Sequence, residues 1–179
     1  MTVPKLRFND DEGLDFPEWE EKHLSEVCSR IMDGTHFSPQ TTEGSRLYLT
    51  SKNIRNEGLD IKNCSYISEE NHREIFKKCP VKYGDILLTK DGANTGNCCI
   101  NTHTEEFSLL SSVAVLDGKL GVLDNKFLLQ VIQGKIGINK IKEAMAGQAI
   151  SRITLKKING LNFKIPCFTE QTKIAAFLT

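Results

Sequence analysis

An α+β fold, built on a twisted and mostly antiparallel β-sheet or half-barrel with flanking helices, is predicted by three features of this 179-residue sequence. Short apolar runs of strand length crowd the middle of the chain, stretches with helical apolar spacing flank them, and Gly, Pro and Asn mark the joints. A polar arm precedes this body and a short helix ends it. With 39% hydrophobic residues, the chain is long enough to bury the core of one domain.

The arm is residues 1–20, "MTVPKLRFNDDEGLDFPEWE", broken by Pro4, Gly13 and Pro17, with Phe16 and Trp19 as apolar anchors. A helical turn around Leu24 to Cys28 leads into "DGTHFSP", whose Asp33, Gly34, Ser38 and Pro39 favour an exposed loop. In "RLYLTSKNI", Leu47 and Leu49 alternate with Tyr48 and Thr50, the pattern of a half-buried strand that runs out into Ser51, Lys52 and Asn53. Ser68, followed by Glu69 and Glu70, predicts a capped helix running to about Lys78, before Pro80. "GDILLTKDGANTGNCCI" predicts a hairpin of Asp85 to Thr89 and Asn97 to Ile100, with Lys90, Asp91, Asn94 and Thr95 on its glycine-rich tip. Ser112 to Leu116 is short and β-branched enough for a buried strand. Asp124 can cap a helix with Phe127, Leu128, Val131 and Ile132 on one face, and a second helix lines up Ile138, Ile141 and Met145 before Gly147. "LNFKIP" alternates Leu161, Phe163 and Ile165 against polar neighbours, a last strand, and "TEQTKIAAFLT" is helical, with Thr169 as its cap and Ile174, Phe177 and Leu178 as an apolar stripe.

The formal net charge is zero, yet it is unevenly distributed: residues 1–27 carry a net −5 and residues 134–179 a net +6. Such polarity allows a local anion-binding face on a neutral protein. No run approaches the roughly 18 apolar residues of a membrane span, and the acidic start is unlike a signal peptide, so a cytoplasmic protein is expected. Six cysteines occur without C-x-x-C spacing, which argues for reduced, buried thiols instead of a zinc site or redox motif.

No string matches the phosphate-binding G-x-x-x-x-G-K motif, and His23, His36, His72 and His103 stand without a familiar catalytic spacing. What recurs is polar chemistry at the ends of elements: Thr35 and His36; Ser51, Lys52 and Asn53; Lys90, Asn94 and Thr95; Gln148, Ser151 and Arg152. Asn and Gln pair bidentately with adenine and Arg with guanine, whereas Ser, Thr and Lys suit phosphates. Solvated loops have the same composition, so each residue alone decides nothing. Two other readings compete: a small enzyme using a cysteine and a histidine, such as Cys98 with His103, and a protein-interaction module that binds no nucleic acid.

Several strings taken in order, "PKLRF", "FPEWE", "DGTHFSP", "YLTSKNI", "GDILLTKDGANTG", "GQAISRITLKKINGLNFKIP" and "EQTKIAAFL", resemble a target recognition domain from the DNA specificity subunit of type I restriction-modification systems. The resemblance runs from about Pro4 to Thr179. It implies an arm over 1–20, a recognition domain over 21–168 and the start of a spacer helix over 169–179. It further implies a non-catalytic chain that reads one half of a split double-stranded DNA target and docks an adenine-methylating modification subunit and a restriction motor subunit. No cofactor is expected here, since S-adenosylmethionine would belong to the modification subunit. The four polar loops would then contact DNA, with Gln148 and Arg152 reading bases and Lys90 on phosphate. Ile174, Phe177 and Leu178 would form a subunit interface. The chain reads either as a piece of a longer subunit or as a half-length subunit that forms a homodimer through this helix, and its zero net charge predicts weak DNA binding in isolation.

Overall fold

A computed structural model of the chain describes residues 7–37, 43–146 and 151–178. Among the described residues of the arm, from Arg7 on, the regular structure before β1 (Glu20–His23) is a bridge between Asn9 and Asp15. One helical turn, α1 (Leu24–Val27), redirects the chain into β2 (Cys28–Asp33). There follow β3 (Arg46–Leu49), the two-residue pair β4 (Ile54–Arg55) and β5 (Gly58–Leu59), and β6 (Ser65–Ile67). Helix α2 (Glu69–Lys78) starts where Ser68 Oγ accepts the Asn71 N–H at 3.2 Å, as its sequence predicts.

The predicted hairpin is β7 (Ile86–Thr89) and β8 (Cys98–Ile100), succeeded by β9 (Ser108–Leu109) and β10 (Val113–Gly118). Asp124 Oδ1 accepts the Phe127 N–H at 2.9 Å and opens α3 (Asn125–Gln133), and Gly134 separates it from α4 (Lys135–Met145). Thr154 caps a short α5 (Leu155–Asn159) before β11 (Asn162–Ile165) and α6 (Phe168–Leu178). Helix α6 therefore begins at Phe168, which places Thr169 inside its first turn instead of at its cap.

The frame is a four-stranded antiparallel sheet in the order β2-β10-β7-β8, and the described strands close no barrel. Val113 to Leu116 in β10 are all fully buried, because this central strand is covered on both faces. Strand alternation sends Ala114 and Leu116 to one core, with Phe127, Leu128 and Ile132 of α3, Ile141 of α4 and Ile158 of α5. Val113 and Val115 enter a second core with Leu49, Phe107 and Leu109, under a smaller sheet ordered β6-β3-β9. Each fully buried Leu, Ile or Phe contributes about 1.5–3 kcal/mol, so α3 is held chiefly by its apolar face. The adjacent Cys98 and Cys99 divide between the two cores.

The six cysteines are free, but Cys64 and Cys167 are only half buried, so the expectation of burial fails for those two. Burial pushes the Cys28, Cys79, Cys98 and Cys99 thiols up to about 12. A thiol in that state is a packing group and a poor nucleophile, which removes the chemistry expected of a Cys98 and His103 pair.

Candidate nucleic-acid interface

One end of the central sheet gathers the polar loops. Strand β2 leaves it at Asp33 into residues 34–37, β7 at Thr89 into residues 90–97, and β10 enters it at Val113 from residues 110–112. The loop after β3 is drawn to the same place, because the Leu110 N–H bonds the Leu49 carbonyl at 2.9 Å.

Residues 110–112 tie these segments together. The Ser111 N–H donates to the Thr35 carbonyl (2.8 Å), Ser112 Oγ accepts the Ser51 N–H (3.1 Å), and the Ser112 carbonyl accepts the Lys90 N–H (2.9 Å). The segment after α4 joins through Gly92 N–H to the Ser151 carbonyl (3.0 Å) and Ile153 N–H to the Lys90 carbonyl (2.8 Å). Two glycines make this closeness possible. A Cβ on Gly34 would stand 2.0 Å from the Leu109 carbonyl oxygen, and Gly92 sits at φ +95°, a left-handed conformation that glycine adopts without strain. The described residues of the four predicted loops therefore meet at one end of the sheet.

Their side chains have different fates. His36, Lys52, Ser151 and Arg152 are exposed, and Thr35, Ser51, Asn94 and Thr95 half buried. Arg152 Nε lies 3.6 Å from Asp91 Oδ2, with about half of its side chain open to solvent. Thr95 Oγ1 is spent on the Gly92 and Ser151 carbonyls (2.6 and 3.0 Å), and Asn94 Nδ2 approaches the Ser51 carbonyl at 3.5 Å. Gln148 lies outside the described residues.

Two expectations are corrected. Lys90 is 2% exposed and its Nζ is 3.1 Å from Asp33 Oδ2, so the side chain expected on a phosphate points inward to a carboxylate. Asn53 is also buried: its Oδ1 accepts the Thr50 N–H and its Nδ2 donates to the Asp60 and Asn63 carbonyls, so it shapes its own loop. The basic surplus of residues 134–179 is likewise partly consumed by contacts within the chain. Lys140 donates to Asn162 Oδ1 at 2.6 Å, Lys157 to the Ala144 carbonyl, and Lys173 pairs with Asp11 at 2.7 Å.

The C-terminal helix has an unexpected inner face. Glu170 and Gln171 are fully buried, and Ala175 nearly so. Arg7 grips Glu170 through Nε (3.1 Å) and Nη2 (2.8 Å), Trp19 Nε1 adds a third bond at 3.1 Å, and Gln171 bonds the Val122 and Pro166 carbonyls. Of the apolar stripe, Ile174 packs on the core, whereas Phe177 is 75% and Leu178 53% exposed, with Phe8 stacked edge-on against Phe177 at 5.6 Å.

A family profile for the type I restriction modification DNA specificity domain matches residues 17–179. The chain belongs to this family. A type I specificity domain is a unit of DNA sequence recognition, the role this membership supports. Among solved structures, the fold resembles the S subunit of a type I restriction-modification system from M. genitalium, with a TM-score of 0.65 at 19% identity over 99% of this chain and 41% of that one. It also resembles the HsdS subunit from Thermoanaerobacter tengcongensis, with a TM-score of 0.63 at 21% identity over 94% of this chain and 39% of that one. A chain from a structure of type I system assembly gives a TM-score of 0.64 at 20% identity, over 94% of this chain and 39% of its own length. The specificity domain thus spans about two fifths of these solved chains. Among curated proteins no match was found.

Other chemistry finds little support in this specificity domain. The buried His72 sits between Ser108 Oγ (3.0 Å) and Glu106 Oε2 (3.4 Å), but Ser108 is itself inaccessible to a substrate. No helix among the described residues is long and apolar enough to cross a membrane. Sequence reasoning missed Ser111 and Ser112, which knit the loops together; "LLSSV" reads as the start of a strand, and nothing local marks it as a junction.

Proposed function

We propose that the chain reads one half of a bipartite double-stranded DNA target for a type I restriction-modification complex and docks its adenine methyltransferase subunit. The observation that carries this reading is the convergence of four polar loops, distant in sequence, on one end of a rigid sheet. Family membership supports the same reading. His36, Lys52, Ser151 and Arg152 are the exposed contacts, with Thr35, Ser51, Asn94 and Thr95 behind them. Arg152 suits a bidentate guanine contact once it exchanges Asp91 for a base edge, and Gln148 suits adenine. Lys90 and Asn53 act from within as supports.

Methyl transfer and its S-adenosylmethionine belong to the partner modification subunit, and cleavage to a restriction motor subunit, all in the cytoplasm. The exposed Phe177 and Leu178 extend the apolar stripe of α6 outward, which suits packing against further helix or a second copy of this chain. Mapping methylated adenines in cells that co-express this chain with type I modification subunits tests the proposal. A new split motif is expected, shifted at one base position by Arg152→Ala; methylation that ignores the loop substitutions would overturn it.

A further inference from the structure

We infer that Lys90 and Asp33 are positioning residues: a buried charged strut that sets the spacing of two DNA-reading loops and hence the selectivity of the domain. This deepens the proposed function and rests on it. Lys90 is the first residue after β7 and Asp33 the last residue of β2, so each stands at the root of a loop. The two strands are not neighbours, because β10 runs between them. The Nζ to Oδ2 contact of 3.1 Å therefore spans the intervening strand, and strand pairing alone does not link these loops directly. By alternation Lys90 shares a face with Ile86 and Leu88, and Asp33 with Ile31. Ala114, paired with both Asp33 and Leu88 on β10, is small enough to leave the span open.

Stability does not explain such a pair. Lys90 is 2% exposed and the Asp33 side chain 15%, so both charges have lost most of their water. Removing two charges from water costs about as much as their attraction returns, and apolar replacements of similar size are often neutral or stabilising. What an apolar pair lacks is direction. A charged contact holds one distance and one angle, whereas methyl groups slide at little cost. Main-chain bonds fix each root locally, through Lys90 N–H to the Ser112 carbonyl and Gly34 N–H to the Val113 carbonyl, and the strut fixes one root against the other.

The test compares the chain with Asp33→Leu/Lys90→Met, which leaves no unpaired buried charge, and with the conservative Lys90→Arg. Thermal melting and amide hydrogen exchange are measured on each chain, and methylated motifs are mapped in cells co-expressing each with type I modification subunits. The apolar pair is expected to melt at or above the wild-type temperature. Its Thr35, Gly92 and Ser111 amides should exchange roughly tenfold faster, and the methylated motif should degenerate by about tenfold at one or more positions. Lys90→Arg, which keeps a cation opposite Asp33, should leave both readouts as in the unaltered chain. Wild-type amide exchange in the apolar pair would overturn the inference whether or not DNA is read, and so would a wild-type motif. If the unaltered chain directs no motif, the DNA reading fails, while the exchange rates still decide the strut.

Discussion

The loop end of the central sheet and the clasp around α6 are both made from segments remote in sequence, yet they are held by opposite means. At the loop end the fixing bonds are largely main chain to main chain: Ser111 to Thr35, Leu110 to Leu49, Gly92 to Ser151, Ile153 to Lys90. At α6 every such bond uses a side chain, with Glu170 taken by Arg7 and Trp19, Lys173 by Asp11, and Gln171 by the Val122 and Pro166 carbonyls. A main-chain anchor tolerates any side chain that fits the backbone angles, whereas a side-chain clasp tolerates almost none. A recognition surface that must change its target without losing its fold is best held in the first way, and a helix that must stay put in the second.

The largest effect should come from breaking the clasp. Arg7→Ala leaves the fully buried Glu170 carboxylate with the Trp19 N–H as its one partner among the described residues, and losing one partner of a buried ion pair costs about 3–5 kcal/mol. A chemical denaturation midpoint close to wild type would show that the clasp is dispensable and would collapse the contrast. Arg7→Lys should recover only part of the loss, since an ammonium cannot reproduce the two-pronged grip.

Next comes the one kind of substitution the loop end should refuse, a change to the backbone itself. Gly34→Ala sets a methyl 2.0 Å from the Leu109 carbonyl oxygen, so the 34–37 segment must move off β9 at a cost of about 1–3 kcal/mol. The Thr35 N–H to Leu109 bond should open with it, visible as faster exchange of that amide. Arg152→Ala, by contrast, should change stability by no more than about 0.5 kcal/mol, as exposed positions usually do, while costing about 1–3 kcal/mol of discrimination at one base pair. Equal stability losses in the two variants would erase the distinction between backbone and side-chain anchoring.

That distinction also explains what was legible in the sequence. Helices α2 and α3 were readable because Ser68 and Asp124 cap them within three residues. Strands β7 and β10 were readable from short β-branched runs buried on both faces. Strand β1 was not: "EEKH" is polar, and it becomes a strand only because β11 pairs with it from Asn162 to Ile165. β2, with Arg30 in its middle, owes its existence in the same way to β10. Which loops carry polar tips was legible, but the inward turn of Lys90 was not, since its partner Asp33 lies 57 positions away in sequence. The burial of Glu170 and Gln171 was illegible for the same reason, because Arg7, Trp19 and Val122 lie far away in sequence.

The smallest expected effect lies at the opposite end of the central sheet, where side chains again do the holding. Arg30 binds Asp85 at 2.6 Å and Asp117 at 3.1 Å, and Asn125 and Ser29 also donate to Asp117. Burial raises the pKa of the Asp117 carboxyl, but the bonds from Asn125, Ser29 and Arg30 outweigh it and leave the group below its ordinary value. Burial dominates at Asp85 and leaves it above its ordinary value, against the Lys82 N–H and Arg30. The signs are opposite. Asp117 contributes stability that is complete above the unfolded-state pKa and is lost as pH falls through the folded one; Asp85 contributes stability below its unfolded pKa that is lost as pH rises through its raised folded value. Between about pH 5 and pH 3 the melting temperature of Asp117→Asn should therefore fall less steeply than that of the unaltered protein, and that of Asp85→Asn more steeply. Among the described residues neither carboxylate touches the loop end, so the pH dependence of hydrogen exchange at Thr35 and Ser111 should be the same in Asp117→Asn, Asp85→Asn and the unaltered protein. If either substitution altered the pH dependence of those amides, the two ends of the sheet would be coupled, and the charges around Arg30 would share in placing the loops.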